Sequence, residues 1–384
     1  MEPKDYLTNN KFCPIPWTGF QYNSNGDVLN CIRSQRPIGN LKDNNIFEIL
    51  GSNTETKQNM LEHKEGIGCS VCYDLEKEHQ GNFDIISDRI FYLKELKNVP
   101  LDTYDNIDTF NLRKIDIRWS NNCNHACVYC GPEYSSKWAK ELKIKVEEPP
   151  EERVEQLQRY VFRMIPELKH VYLAGGEPLL MKENEMLLRE LLKRNPNVNL
   201  RVNTNLSKTG TPVFDLICQF KNVQWIISID EIEDEFEYVR YGGNWQDFLD
   251  NLNIIKNLDH KVSFNMLHHL LNFRSIFTCI NFLKNLGFHN NSFIIGPLFN
   301  PDHLNIRHLP NNMLELVKSD IQSWLDKKPG FLLENGLRNM LQYVNTPIEK
   351  NIDLCLRMIT EMDSRRNTNS REVFKEFYDL LEGT

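Results

Sequence analysis

The middle of this chain alternates short β-like segments with amphipathic helical segments, and this alternation restricts the possible fold more than any other feature. Helical patterns such as KENEMLLRELLKR (182–194), NWQDFLDNLNIIKNL (244–258) and RSIFTCINFLKNL (274–286) separate runs of apolar and β-branched residues. Strands that are joined by helical crossovers form parallel βα units. The predicted strands are 113–119, 170–174, 199–203, 223–229, 261–266 and 292–296.

Six βα units are too few for a closed eight-stranded barrel, so we predict an α/β fold with a partial (β/α)6 TIM-like barrel at 81–310. Residues 1–80 are turn-rich and cysteine-rich, with a hairpin predicted at Asn25-Gly26, and form a separate segment. Residues 311–384 are predicted to be a helical C-terminal extension. Its first helix places six apolar residues on one face, namely Met313, Leu314, Val317, Ile321, Trp324 and Leu325.

Composition and charge exclude several kinds of partner. The chain has 384 residues, of which 40% are hydrophobic, and its formal net charge is −8 with Lys and Arg scattered along it. We therefore expect a folded protein that does not bind nucleic acid. No apolar run approaches the roughly 18 residues of a membrane span, and the N-terminus lacks a signal-peptide pattern, so we expect a cytoplasmic protein without a membrane partner. The acidic run EIEDEFE (231–237) is predicted to be a solvated helical face.

The ten cysteines are expected to stay reduced in the cytoplasm, where clustered cysteines indicate metal ligands. Seven of them fall into two groups. The isolated ones, Cys218, Cys279 and Cys355, lie in apolar stretches and are predicted to be buried hydrophobic residues. The two groups are Cys13, Cys31, Cys69 and Cys72 near the N-terminus, and Cys123, Cys127 and Cys130 directly after the first predicted barrel strand.

The motif CNHACVYC (123–130) supplies three thiolates at a position where barrels of βα units collect their chemistry. A structural zinc site normally has four protein ligands, and His125 would complete a Cys3His set. A [4Fe–4S] cluster that is held by three cysteines instead keeps one iron open for a small molecule. The spacing alone leaves both interpretations open.

Two motifs together resemble those of radical S-adenosylmethionine (SAM) enzymes. The CX3CX2C spacing with Tyr129 before the last cysteine resembles the cluster loop of that family. GGEP follows the next predicted strand, and in the family this turn exposes backbone to the methionine amino group of SAM. The chain is identified as a member of this family by the pair of motifs. The GGEP residues are Gly175, Gly176, Glu177 and Pro178.

The resemblance implies a reaction and its cofactors. A [4Fe–4S] cluster on Cys123, Cys127 and Cys130 would bind SAM and, after reduction by a donor such as flavodoxin or ferredoxin, cleave it to methionine and a 5′-deoxyadenosyl radical. That radical would abstract hydrogen from a substrate, while the protein excludes water and stray hydrogen donors.

The resemblance also implies SAM contacts at the ends of other strands. Asn203, Thr204 and Asn205 would meet the ribose or carboxylate, although an Asx-type turn explains them equally well. Ser228 and Asp230 would lie near the ribose and Arg240 near the SAM carboxylate, with a surface ion pair as the alternative for the arginine. The expected adenine contacts are Tyr129, Met266 and Pro297, of which the last two also suit core or turn positions.

The N-terminal cysteine block resembles half of a SPASM domain or the shorter twitch domain. This implies an auxiliary [4Fe–4S] cluster on Cys13, Cys31, Cys69 and Cys72, with electron transfer as its expected role. In contrast to the usual order, the block precedes the barrel. A structural zinc ion remains an alternative for the same four thiolates.

Three functions remain open from the sequence. The first is radical SAM modification of a peptide or protein side chain, which is the activity most associated with the auxiliary domain. The second is radical SAM modification of a small molecule, such as a sugar, nucleoside or amino acid. The third is a non-enzymatic zinc-binding interaction protein, which leaves the GGEP turn unexplained.

Overall fold

The computed structural model describes residues 11–78, 87–94, 104 and 106–383. The residues on either side of the predicted boundary between 80 and 81 lie outside this part of the chain, as does the N-terminal stretch 1–10. The division into segments 1–80, 81–310 and 311–384 therefore stays a prediction. The chain folds as two compact units: Met1–Asn122, Lys145–Val202 and Pro212–Val223 form the first, and Cys123–Ile144, Asn203–Thr211 and Gln224–Thr384 form the second.

The first unit contains a parallel sheet that an N-terminal hairpin extends. Its strands are β1 (Gly19–Tyr22), β2 (Asp27–Leu29), β3 (Pro37–Asn40), β4 (Lys114–Ile117), β5 (His170–Leu173) and β6 (Asn199–Thr204), the last of which ends at the start of the second unit. β1 pairs antiparallel with β2 and parallel with β4. β4 and β5 pair in parallel, as do β5 and β6.

The hairpin between β1 and β2 turns at Asn25-Gly26, as the sequence predicts. Gly26 adopts a φ of +94°, which lies in the region that favours glycine. A Cβ on this residue would lie 2.5 Å from Asn40 Oδ1. Asn40 in turn donates to Asp27 Oδ1 at 2.8 Å and thereby ties β3 to the turn.

The N-terminal segment is more regular than the sequence predicts, because helices follow β3. Asn45 caps one of them in a reciprocal capping box with Glu48, an arrangement that satisfies free N–H groups of the first turn. The helices of the first unit are α1 (Ile15–Thr18), α2 (Ile46–Ser52), α3 (Thr54–Leu61), α4 (Ser70–Glu78), α5 (Asp88–Lys94), α7 (Glu151–Met164), α8 (Lys182–Arg194) and α9 (Pro212–Ile217).

Alternation along the strands gives the sheet of the first unit one apolar and one polar face. In β4, Ile115 and Ile117 are fully buried and point away from Lys114 and Asp116. The register carries the same alternation into β5 and β6, because directly paired residues share a face.

The second unit contains three parallel strands in the order β7, β8, β9, followed by a helical C-terminal part. The strands are β7 (Val223–Ser228, whose first residue belongs to the first unit), β8 (Lys261–His268) and β9 (Phe293–Pro297). The helices are α6 (Ser136–Leu142), α10 (Glu233–Val239), α11 (Trp245–Lys256), α12 (Ser275–Asn285), α13 (Asn311–Asp326), α14 (Phe331–Asn345), α15 (Ile352–Arg366), α16 (Ser370–Val373) and α17 (Lys375–Glu382).

The C-terminal helices pack on this unit through apolar faces. All six residues of the predicted face of α13 are buried. Gly336 allows α14 to approach β9 closely, because a Cβ there would lie 2.6 Å from the backbone oxygen of Ile295.

The predicted fold class is confirmed: the fold is α/β, six strands (β4–β9) alternate with helices as in a partial (β/α)6 barrel, and the C-terminal part is helical. No helix in the described ranges combines the length and the apolar character that a membrane crossing requires.

Two local expectations are wrong. Glu231, at the start of the acidic run, is completely buried instead of solvated, whereas Glu233 and Asp234 are exposed as expected. Cys218 is half-buried, while Cys279 and Cys355 are buried as predicted.

Candidate functional site

The three-cysteine loop begins after β4 and is folded within the second unit by backbone hydrogen bonds. Ala126 N–H donates to the Tyr241 carbonyl at 2.9 Å, and Val128 N–H donates to the Val239 carbonyl at 2.8 Å. The indole N–H of Trp138 on α6 donates to the Cys127 carbonyl at 2.7 Å. The loop is therefore held in place by its own unit before any ligand binds.

The thiols of this loop lie in a desolvated environment. Cys127 is buried, and Cys123 and Cys130 are half-buried. Burial raises the pKa of Cys127, which the Arg240 charge partly opposes. Burial, followed by the neighbouring Cys127 thiol, raises the pKa of Cys130 to about 12. Thiols of this kind become thiolates when a cation neutralises them, which fits the soft, positively charged iron of a cluster.

His125 lies inside the loop and is 1% exposed, and neither ring nitrogen has a hydrogen-bond partner among the described residues. Burial lowers the pKa of His125 to about 3, so the ring is neutral. Within the described ranges, no group of three or more Cys, His, Asp or Glu residues is arranged to hold a single metal ion.

Three residues that the sequence assigns to SAM are joined in a buried network. Asp230 Oδ2 accepts from Arg240 Nη2 at 2.6 Å and from the Tyr129 hydroxyl at 2.5 Å. Asp230 Oδ1 accepts from the backbone N–H of Leu267 at 2.6 Å. The second guanidinium nitrogen, Arg240 Nη1, lies 3.9 Å from Cys127 Sγ. Arg240 is not the surface ion pair that was the alternative for it, because the arginine is 4% exposed.

A second buried pair, Glu231 and His269, adjoins this network and was not predicted from the sequence. His269 Nε2 lies 2.7 Å from Glu231 Oε1, both side chains are fully buried, and the two atoms lack the alignment of a hydrogen bond. Burial, and then the Asp230 charge, raises the pKa of Glu231 well above its usual value, and burial lowers the pKa of His269. The signal available in the sequence was that the acidic run starting at Glu231 lies just after the predicted strand 223–229.

The GGEP turn belongs to the first unit and lies against the segment that leads into the cysteine loop. Glu177 N–H donates to the Asn122 carbonyl at 2.7 Å. A Cβ on Gly176 would lie 2.3 Å from the same oxygen, and Gly175 has a φ of +118°. The Glu177 carboxylate caps the short 3-10 turn that starts at Pro178, accepting from Leu179 N–H at 3.1 Å. A side chain is therefore disfavoured at both positions, at Gly175 by the positive φ and at Gly176 by the close approach of Asn122.

The remaining strand-end residues show a mixture of turn and loop contacts. Thr204 Oγ1 accepts from Leu206 N–H at 2.9 Å, and Asn205 Oδ1 accepts from Ser207 N–H at 2.9 Å, so both form the turns that were the alternative for them. Asn205 also donates to Asn124 Oδ1 at 3.1 Å, and its amide nitrogen lies 3.9 Å from Cys123 Sγ. Asn203, Ser228 and Pro297 are half-buried, and Met266 is fully buried.

The four N-terminal cysteines, Cys13, Cys31, Cys69 and Cys72, line one small cavity of the first unit. Burial raises the pKa of all four thiols, and the other three thiols of the group raise that of Cys13 further.

Backbone N–H groups partly oppose this effect of burial. Those of Ile15, Arg33 and Arg89 lower the pKa of Cys13, Cys31 and Cys72, respectively. The Arg33 guanidinium lies on the same wall and donates to Asp88 at 2.7 Å. Four cysteines in one cavity, with nearby N–H groups that favour the thiolate form, fit an iron–sulfur cluster.

Residues 117–283 match the sequence profile of the Radical SAM superfamily. The matching region is similar to the radical SAM enzymes and contains both the cysteine loop and the GGEP turn. This finding favours an enzyme over the non-enzymatic zinc-binding protein that the sequence left open.

Two curated proteins are similar to part of the chain. A GTP 3′,8-cyclase of Sulfurimonas denitrificans is 26% identical over 172 residues, which cover 44% of this chain and 49% of that protein. A GTP 3′,8-cyclase of Nautilia profundicola is 32% identical over 103 residues, which cover 26% of this chain and 30% of that protein. The chain thus spans half or less of the length of these relatives.

Solved structures share a more distant likeness. Native anSMEcpe with bound AdoMet and a Kp18Cys peptide has a TM-score of 0.42 at 17% identity, covering 56% of this chain and 60% of that one. Streptococcus suis SuiB bound to S-adenosylmethionine has a TM-score of 0.42 at 10% identity, covering 72% of this chain and 64% of that one.

Proposed function

We propose that this protein is a radical SAM enzyme whose SAM-binding [4Fe–4S] cluster is held by Cys123, Cys127 and Cys130. The observation that carries the proposal is the cysteine loop itself: three clustered thiols follow a barrel strand inside the region that matches the superfamily. When bound, the cluster supplies the electron that cleaves SAM into methionine and a 5′-deoxyadenosyl radical, which abstracts hydrogen from the substrate.

The chain's own residues hold and shield this site. Backbone bonds to 239–241 fix the loop, and the Arg240 guanidinium places positive charge beside the Cys127 thiolate. Such an outer contact stabilises the thiolate form that ligates iron. Gly175 and Gly176 are half-buried, and the backbone of the GGEP turn is proposed to contact the methionine amino group of SAM. Asn203, Thr204, Ser228, Asp230 and Tyr129 stay candidates for further SAM contacts.

We further propose that Cys13, Cys31, Cys69 and Cys72 hold an auxiliary [4Fe–4S] cluster that transfers electrons. The convergence of all four thiols on one cavity supports this. With every iron ligated by cysteine, direct substrate binding there is disfavoured, which leaves electron exchange as the role. Flavodoxin or ferredoxin is the proposed external donor, and the cytoplasm is the proposed compartment.

For the substrate we propose a peptide or protein side chain, on the resemblance of the N-terminal block to SPASM and twitch domains. A small molecule is the second candidate. It is favoured by the curated relatives, because both are named GTP 3′,8-cyclase.

The test of the radical SAM proposal is Cys127→Ala in anaerobically reconstituted full-length protein, with Cys218→Ala as the matched control. Cys218 is half-buried and lies outside both cysteine groups. With SAM and dithionite, we expect the wild type and the control to form 5′-deoxyadenosine and Cys127→Ala to form none. SAM cleavage by Cys127→Ala would refute the proposal.

A further inference from the structure

One row of polar side chains crosses four strands of the first unit. The strand register pairs Gln21 with Asp116, Asp116 with Tyr172, and Tyr172 with Arg201. Arg118 follows Asp116 by two residues and so continues the same side of the sheet. We call this row, together with Lys114 and Arg118, the polar face.

The polar face contains hydrogen-bonding atoms without a partner. Within the described residues, Gln21 Oε1, Asp116 Oδ1 and Arg201 Nε are buried and make no hydrogen bond. Gln21 and Asp116 are 6% and 1% exposed. Buried polar atoms of folded proteins are nearly always paired, so three exceptions in one row require an explanation. A polar ligand that binds this face would supply the missing partners.

The two arginines of the polar face are half-buried and lie beside one aromatic ring. Their guanidinium carbons lie 5.9 and 5.7 Å from the centre of the Tyr172 ring, which stands between them in the sheet. No carboxylate forms an ion pair with Arg118 or Arg201 in the part of the chain that the structure describes. Lys114, by contrast, is paired with Asp116 at 2.6 Å.

Among the described residues, the Arg118 guanidinium makes one weak hydrogen bond, at 3.4 Å from Nη1 to Asn23 Oδ1. Two neighbouring guanidiniums repel each other, and contact with one aromatic ring offsets only part of that cost. A carboxylate or phosphate accepts paired N–H donors from guanidinium and would neutralise both charges.

We propose that the polar face binds the substrate, with an oxyanion of the substrate on Arg118 and Arg201 and N–H donors of the substrate on Gln21 Oε1 and Asp116 Oδ1. Asp116 and Arg201 lie two strands apart, which is about 10 Å, so the substrate would extend across β5 from Arg201 towards Gln21. This inference rests on the proposed radical SAM function, because it assigns the substrate class of that enzyme.

The position of Arg118 suits this role. A Cβ on Gly175 of the GGEP turn would lie 3.2 Å from the Arg118 Cβ, so the arginine side chain begins beside the turn that we propose meets SAM. A group bound by Arg118 would therefore lie beside the GGEP turn.

The experiment is isothermal titration calorimetry on reconstituted full-length protein at low ionic strength, with inorganic phosphate and glutarate as separate probes. We expect at least one probe to bind, and the tighter one tells whether the substrate oxyanion is phosphoryl or carboxyl. Arg201→Gln should weaken that binding by on the order of tenfold or more, because a charge-assisted contact is lost. The affinity of Arg201→Lys should lie between those of the wild type and Arg201→Gln, because an ammonium keeps the charge but not the paired donors.

The matched control is Arg189→Gln, which removes an exposed arginine that is paired with Glu185 on α8 and should leave binding unchanged. If Arg201→Gln fails to fold by circular dichroism, Arg118→Gln replaces it. The inference is overturned if neither probe binds the wild type, or if Arg189→Gln weakens binding as much as Arg201→Gln. It is also overturned if saturating SAM abolishes probe binding, since the arginines would then hold the SAM carboxylate.

SAM cleavage by the same wild-type preparation distinguishes failure of the proposed enzyme function from failure of the substrate assignment. Cleavage without oxyanion binding leaves the proposed enzyme and removes this substrate assignment. Oxyanion binding without cleavage refutes the proposed function, and with it the role of the polar face as the substrate site of a radical SAM enzyme.

Discussion

Arg240 and Asp230 form a buried ion pair, with 2.6 Å between Nη2 and Oδ2. The same carboxylate accepts from the Tyr129 hydroxyl of the cysteine loop. The pair therefore links the loop that carries the three cysteines to the end of β7. Because both charged groups are removed from water, each depends on the other for compensation.

Asp230→Asn should destabilise the fold strongly, because it leaves the Arg240 guanidinium buried without a counter-charge. We expect the free energy of unfolding to fall by about 3–5 kcal/mol, measured by urea denaturation of the apo protein. Glu185→Gln breaks the exposed pair with Arg189 and should cost at most about 0.5 kcal/mol. Equal losses in the two variants would show that burial of the Asp230 pair has no energetic consequence.

Gly176→Ala should destabilise the first unit, because the new methyl group would lie 2.3 Å from the Asn122 carbonyl oxygen. The backbone of two segments must separate to accommodate it, at a cost of about 1–3 kcal/mol. Gly210→Ala is the control, since nothing lies within 4 Å of a Cβ there. Thermal unfolding of both variants measures the difference, and a stable Gly176→Ala protein would contradict the close approach.

Glu231→Gln should change how stability depends on pH. Burial raises the pKa of Glu231 well above its usual value, so above about pH 4.3 the folded state holds a proton that the unfolded state has released. Stability of the wild type then decreases with rising pH, by up to about 1.4 kcal/mol per pH unit, until the folded pKa is reached. Glutamine at this position does not titrate, so the variant lacks this pH dependence of stability.

We therefore expect Glu231→Gln to gain stability relative to the wild type as the pH rises above about 5 in urea titrations. Glu233→Gln, an exposed neighbour in the same acidic run, should follow the wild type at every pH. A constant difference between the wild type and Glu231→Gln across this range would mean that Glu231 is ionised in the folded protein.

Cys72→Ala should remove one of two clusters. Anaerobically reconstituted wild type should contain about eight irons, and the variant about four, with the SAM-binding cluster retained. Cys355→Ala, which alters a buried cysteine outside both groups, should keep about eight. Iron and zinc analysis of the purified proteins measures this, and a wild type with zinc and about four irons would assign the N-terminal cysteines to a zinc site.

The strands and helices of the central region were accessible from sequence because their signals are local. The pattern KENEMLLRELLKR corresponds to α8 without error at either end, and each of the six predicted strands overlaps β4–β9 within three residues. Apolar spacing identifies these elements without knowledge of their neighbours. The helices α2–α4 were missed because the N-terminal block lacks long periodic apolar runs.

The candidate site also has features that local motifs predict and features that depend on contacts between distant residues. Cysteine spacing and the GGEP turn are short motifs, and they indicated the resemblance to radical SAM enzymes before any contact was known. The Glu231–His269 pair joins residues that are 38 positions apart in the sequence, and no local pattern connects them. The acidic run EIEDEFE gave the opposite expectation for Glu231, because charge patterning does not report which residue the end of a strand buries.

The sequence by itself determined the order of strands and helices, the resemblance to radical SAM enzymes and the two groups of cysteines, because periodicity and motif spacing are properties of neighbouring residues. Only the tertiary structure decided which distant side chains meet: that Arg240 pairs with Asp230, that four N-terminal thiols share a cavity, and that Arg118 and Arg201 stand at Tyr172 without a carboxylate. These relationships depend on strand register and burial, which are fixed only when the sheets assemble.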